Sequence, residues 1–112
     1  MKYRIRERAG VTILDLSGKV MGGSDAEVFK DCIYDLLEED RKKIIVNLAK
    51  VTWINSSGVG ILITGYTTMR KKNGDLKLLN VSEKIKSILY VTKLNLIFEC
   101  YEDEDEAVES YS

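Results

Sequence analysis

Two hydrophobic rhythms run along the chain, and the switches between them mark its elements. Tyr3-Arg4-Ile5-Arg6-Glu7 alternates weakly, and Val11-Thr12-Ile13-Leu14-Asp15-Leu16-Ser17 is rich in β-branched residues. Both predict strands, joined through the Ala9-Gly10 turn as an antiparallel hairpin whose first strand lies at an edge. After a loop over residues 18–23 the period lengthens. Ala26, Phe29, Ile33, Leu36 and Leu37 recur at helical spacing, one apolar stripe suited to cover a sheet. Ser24 and Glu27 have the spacing of a capping box, so Ser24 is expected to cap this helix. Residues 38–43 are its solvated exit.

Lys43-Ile44-Ile45-Val46-Asn47-Leu48 reads as a buried strand, residues 49–55 as a loop, and the run from Val59 to Met69 as a second helix. Val59, Leu62, Ile63, Tyr66 and Met69 form its core face. Gly58, Ile61, Gly65 and Thr68 form another face, small and partly apolar. Lys71-Lys72-Asn73-Gly74 ends the helix, with cations in the last turn and glycine just past it. A strand follows over 75–80, then a third helix capped by Ser82 and carrying Ile85, Ile88 and Leu89. Leu94, Leu96, Ile97 and Phe98 lead into a last short strand over 98–101. The acidic run 102–106 before Ala107-Val108 predicts a short terminal helix, because carboxylates favour a first turn; a frayed acidic tail is the rival reading.

The order β-β-α-β-α-β-α-β-α implies an α/β fold with right-handed crossovers, a mixed and mainly parallel sheet with packed helices, and an antiparallel first strand. Parallel strands bring the segments that follow them to one end of the sheet. Met21-Gly22-Gly23-Ser24 and Asn55-Ser56-Ser57-Gly58 are therefore expected to be neighbours, although more than thirty positions separate them.

Composition narrows the function. A chain of 112 residues suits a single domain over 1–112, and its 45% hydrophobic and 31% charged content is that of a soluble globular protein. The net charge of -1 gives no global case for nucleic acid or an anionic membrane. No apolar run approaches the roughly 20 residues that span a bilayer. The first eight residues lack the apolar core of a signal peptide, so a cytoplasmic protein is expected. Without a secretory signal, Asn55-Ser56-Ser57 and Asn80-Val81-Ser82 are chance glycosylation matches. Cys32 and Cys100 form no CxxC pair and are expected as two buried thiols. There is no histidine, which removes the commonest general base and metal ligand. No metal site is expected, since the acidic residues are contiguous rather than spaced like a calcium loop.

The stretch Trp53-Ile54-Asn55-Ser56-Ser57-Gly58-Val59-Gly60 sits where a strand hands over to a helix, a common place for working residues in α/β domains. As nucleophiles, Ser56 and Ser57 lack a base: there is no histidine and no Ser-x-x-Lys spacing here. The stretch also lacks the GxxxxGK[ST] phosphate loop, and Gly58-Val59-Gly60 alone does not indicate a nucleotide. As acceptors the serines are better placed. A phosphate at a helix N-terminus meets free N–H groups and a favourable dipole, so it changes the surface without unfolding the domain. The rival reading is that Asn55 or Ser56 is simply the N-cap.

These residues resemble the STAS domain family, in particular the bacterial anti-sigma factor antagonists. That family carries Asp-Ser-Ser/Thr-Gly-Leu-Gly at a helix start, where this chain has Asn55-Ser56-Ser57-Gly58-Val59-Gly60. The likeness continues through Asn73-Gly74-Asp75-Leu76 and through Val91-Thr92-Lys93-Leu94-Asn95-Leu96-Ile97-Phe98, covering nearly the whole chain. It implies a STAS-type fold and a protein switch with no catalysis and no cofactor of its own. The implied partners are an anti-sigma factor that is also a serine kinase with an ATP-binding fold, and a serine phosphatase that resets the switch. Carried over by position, Ser56 is the phosphoacceptor, and Ser57, Gly58 and the outward side of the helix near Ile61 and Gly65 belong to the docking surface, together with Asn55 and the loop Met21, Gly22, Gly23 and Ser24. Asn55 replaces the family's aspartate and removes one negative charge beside the acceptor. The glycine-rich loop with Met21 also departs from the family's more acidic, polar one. Met21 is an interaction candidate, with packing onto the core as its rival. Two other readings stay open: a STAS interaction module in a signalling assembly that is not switched by phosphate, and a STAS domain that binds a nucleotide or small ligand between the two loops.

Overall fold

The computed structural model describes residues 1–112. Five strands form one sheet in the order β1-β2-β3-β4-β5, the same order as in the chain. They are β1 (Lys2–Arg8), β2 (Val11–Val20), β3 (Lys43–Ile54), β4 (Asp75–Leu79) and β5 (Cys100–Tyr101). β1 and β2 are the antiparallel hairpin, and every other pairing is parallel. Four α-helices connect and cover them: α1 (Ser24–Glu38), α2 (Ser56–Lys71), α3 (Glu83–Val91) and α4 (Glu104–Glu109), with a 3₁₀ turn at Leu94–Leu96. The acidic run does start a helix, capped by the Asp103 carboxylate accepting from the Asp105 N–H at 2.9 Å.

Strand alternation builds two cores of unequal size. Leu14 and Leu16 on β2, Ile44, Val46 and Leu48 on β3, and Leu76 and Leu78 on β4 face α1, α2 and α3 in the larger core. Val11, Ile13, Ile45 and Leu79 face the other way and meet Ala107 and Val108 of α4. α4 covers only part of that second face. It is held there by polar contacts as well as apolar ones. Lys77, nearly buried on β4, donates to the Ser110 hydroxyl at 2.8 Å, pairs with Glu99 at 3.1 Å and lies 4.2 Å from the Tyr111 ring centroid.

Arg6 forks between Asp15 (2.6 and 3.0 Å) and Glu104 (2.6 Å), and Arg8 reaches Glu104 and Asp105 (2.6 and 2.7 Å). The hydrogen bonds from Arg6 hold both the Asp15 and Glu104 carboxyls below the usual carboxylate range. A carboxyl whose folded pKa is depressed stabilises the fold fully above its unfolded pKa, about 4, and loses that contribution as pH falls through the folded value. Arg6→Gln should therefore cost about 2 kcal/mol at neutral pH and flatten the acid limb of stability. Urea denaturation of both proteins at neutral pH and in acid checks this; equal acid limbs would dissociate the cluster from acid stability.

Two boundaries differ from the sequence expectation. β2 continues through Gly18 to Val20, and β3 continues through 49–54, where loops were expected. The two strands support each other over this extension, with Lys19 opposite Trp53 and Val20 opposite Ile54. Gly18 and the polar residues of β3 weaken the local pattern, and the pairing overrides it. Cys32 is buried as expected, whereas Cys100 is exposed, because β5 is a short edge strand. Asn73, at φ 65°, makes the left-handed turn that ends α2.

Candidate functional site

The extended β2 and β3 leave the sheet side by side, and the start of α2 is seated against the exit of β2. A side-chain carbon on Gly58 would fall 2.0 Å from the Val20 carbonyl oxygen and 2.8 Å from Ile54 Cγ1. Only hydrogen fits there. Gly22, at φ +98°, lies against Ser57, where an added carbon would be 3.2 Å from the Ser57 Cβ. The two loops expected to be neighbours thus touch.

Asn55 is the N-cap of α2. Its Oδ1 accepts from the Gly58 N–H at 2.8 Å, and its carbonyl accepts from the Val59 N–H at 3.0 Å. The N–H groups of Ser56 and Ser57 are left for solvent, and both serine side chains are exposed. No acidic residue occupies the first turn, so the positive end of the helix is not neutralised by a side chain there. Ser56 is therefore free of the capping role. Asn55→Ala should cost about 1 kcal/mol while Asn55→Asp keeps the cap. Thermal melts of the two variants separate the outcomes, and an unchanged melt for the alanine variant would refute the cap.

α1 begins differently from expectation. Gly23, at φ 61°, occupies the N-cap position, Ser24 is already helical, and no side chain caps the helix. The Ser24–Glu27 capping box does not form, because a residue inside the first turn cannot bring its hydroxyl over the amides it would cap. The Asp25 carboxylate instead accepts from the Met21 N–H at 3.2 Å. Ser24 remains exposed, and Met21 is 44% exposed rather than packed on the core.

The small face of α2 is occupied by α1. Gly65 is buried, and an added carbon there would come within 2.5 Å of Phe29 Cε2; Ile61 is 6% exposed. Of the residues assigned to partner docking, Gly58 is sealed against Val20 of β2 and Ile54 of β3, and Ile61 and Gly65 are inward rather than outward. What the surface offers is a groove of about 480 Å³ between the two helices, starting at Gly22 and Ser57. Ile33, Phe29, Ile61 and Gly65 line its apolar depth, and Lys30, Tyr34 and Thr64 also border it. The sequence reading missed Lys30 and Tyr34, which lie off the core stripe of α1, and Thr64, which lies outside both faces assigned to α2. It also missed Trp53, 45% exposed near the end of β3, three positions before Ser56, with the Lys84 ammonium 3.1 Å from its ring centroid. Trp53 alternates with buried Ile54, a strand signal too short to stand out among the polar residues of 49–55.

No helix is long and apolar enough to cross a membrane. A protein of Thermotoga neapolitana named as an anti-sigma factor antagonist is 28% identical over 108 residues, covering 96% of this chain and 93% of that one. The crystal structure of an anti-sigma factor antagonist from Thermotoga maritima superimposes with a TM-score of 0.86 at 25% identity, covering 96% of this chain and 92% of that one. The phosphorylated form of the Bacillus cell fate determinant SpoIIAA shares the fold, with a TM-score of 0.76 at 18% identity over 99% of this chain and 100% of that one. The family model described as the STAS domain matches residues 2–107, and the chain belongs to the STAS domain family.

Proposed function

We propose that the chain is an anti-sigma factor antagonist: it binds an anti-sigma factor, releases the sigma factor, and is switched by phosphorylation of Ser56. The observation that carries this reading is the exposed Ser56 hydroxyl at the unneutralised start of α2, with Asn55 rather than Ser56 serving as the cap. The names of its relatives support the general role. The partner in this reading is a serine kinase with an ATP-binding fold. Ser56 Oγ takes the γ-phosphoryl group of ATP, its proton passes to a base of the kinase, and ADP leaves; a phosphatase reverses the state by hydrolysis. All of this takes place in the cytoplasm. The docking surface comprises Met21, Gly22, Gly23, Ser24, Asn55 and Ser57, with Trp53 and the mouth of the α1–α2 groove beside them. Ile61 and Gly65 shape the groove from within, and Gly58 acts only by seating the helix.

A phosphate on Ser56 brings about −1.5 to −2 charges and new bulk into the middle of that surface. The free N–H groups tolerate it, so binding changes and folding does not. Incubation with ATP and the cognate kinase should place phosphate on Ser56 alone. Ser56→Asp should weaken partner binding by about tenfold or more, equivalent to about 1.4 kcal/mol, with no loss in melting temperature. Phosphate on Ser57, or wild-type affinity in the aspartate variant, would remove the switch.

Asn55 favours a second reading, an interaction module that is never phosphorylated, because it supplies a cap without the charge the family places beside the acceptor. Recovery of partners with no phosphate transfer to Ser56 would select it.

A further inference from the structure

We propose that the free edge of β1, at the rim of a cationic concavity that spans β1, β2 and β3, is a second docking site, for an acidic extended segment of a partner protein that adds to β1 as a further strand. Lys2, Arg4, Arg6 and Arg8 alternate along β1 and share one face with Asp15 and Ser17 of β2. Arg6 and Arg8 are already occupied by an acidic segment of the chain itself, through Glu104 and Asp105. Lys2 and Arg4 continue the row beyond α4, and neither has an ion-pair partner in the fold. Across the same concavity, of about 500 Å³, stands Lys50, also without a carboxylate. The single acid lining it is Asp15, whose two oxygens are engaged by Arg6 and by the Asn47 amide. Lys2, Arg4 and Lys50 thus line the concavity without a carboxylate partner while its one carboxylate is committed to Arg6, on a chain whose net charge is -1. This face complements an acidic ligand.

The free edge selects an extended peptide. β1 is the outermost strand and pairs only with β2, so the peptide groups along its other side have no strand beside them. Its opposite face carries Tyr3 and Ile5, 40% and 47% exposed. A strand laid along β1 would present side chains alternately, carboxylates toward Lys2 and Arg4 and apolar groups toward Tyr3 and Ile5. A second copy of this chain does not fit, since pairing β1 with β1 would set cations against cations. The site shares no lining residue with the α1–α2 groove, so both can be occupied together.

The test is a titration of the isotope-labelled full chain with a capped seven-residue peptide alternating glutamate with valine, matched in length to β1. A lysine-for-glutamate peptide is the control. Amide shifts should concentrate in β1 and at the Asn47 side chain. Raising salt to about 0.5 M, where screening is strong, should weaken binding at least tenfold, and so should the pair Lys2→Glu and Arg4→Glu. The pair Lys2→Arg and Arg4→Lys should bind as wild type, which separates lost charge from lost fold. Shifts confined to the α1–α2 groove, no shifts at millimolar peptide, or equal binding of the lysine peptide would overturn the proposal. So would tighter binding of single-stranded DNA or anionic lipid vesicles through the same residues, which would assign the face to another class of partner. Loss of the Ser56 switch leaves all of these outcomes unaffected.

Discussion

Gly58→Ala should destabilise the protein by about 3 kcal/mol and disable the serine site without altering either serine. The added carbon would fall 2.0 Å from the Val20 carbonyl oxygen. That atom belongs to backbone at the end of β2, so no rotamer change relieves the clash. The helix propensity gained on replacing glycine, at most about 1 kcal/mol, is smaller than the cost of separating the two elements. Relief requires the first turn of α2 to lift from β2, which carries Ser56 and Ser57 away from Gly22. The variant should therefore show a lower urea midpoint, an unchanged denaturant slope and weakened partner binding. Gly60→Ala is the control: its side-chain carbon meets nothing within 4 Å, and it should be neutral or more stable by about 0.5–1 kcal/mol. If the two alanine variants melt alike, the seating of α2 on β2 does not position the site.

The same glycine shows where the sequence was informative and where it fell short. The Asn55–Gly60 stretch announced a strand-to-helix junction, and the parallel strand order correctly brought Gly22 to Ser57. Element order was legible because each long apolar run keeps a clear period of two or 3.6. What each small residue faces was not. Gly58, Ile61 and Gly65 form a compact apolar face, and such a face suits an external partner or a neighbouring helix equally well. What decides between them is Val20 and Ile54 against Gly58, and Phe29 of α1 against Gly65. Ser24 misled for a related reason: capping-box spacing specifies side chains, whereas the φ of 61° at Gly23 moved the helix start by one residue. The strand extensions at 18–20 and 49–54 are stabilised by pairing with each other, and neither carries a strong strand signal alone. Trp53 was lost as a site residue together with its strand.

The second large effect follows from the contact that closes the small face. Phe29 is 2% exposed in the main core, and Phe29→Ala should cost about 4 kcal/mol through lost burial and incomplete collapse around the gap. The loss should appear as a lower urea midpoint. Its partner across the interface is Gly65, where a methyl group would approach Phe29 Cε2 to 2.5 Å. In this contact the obstacle is a side chain, so Gly65→Ala should cost only about 1–2 kcal/mol, from a displaced ring partly offset by helix propensity. Phe29→Leu removes the ring edge that the methyl group meets. In that background Gly65→Ala should become neutral or stabilising, giving a coupling of about 1–2 kcal/mol in a double-mutant cycle. Additive costs would mean that Gly65 is small for some reason other than Phe29. The cycle also bears on function, because both residues line the depth of the groove that opens at Ser57. If that groove receives part of the partner, the double variant should recover stability and still bind more weakly, since the wall it presents has changed shape while the serines have not.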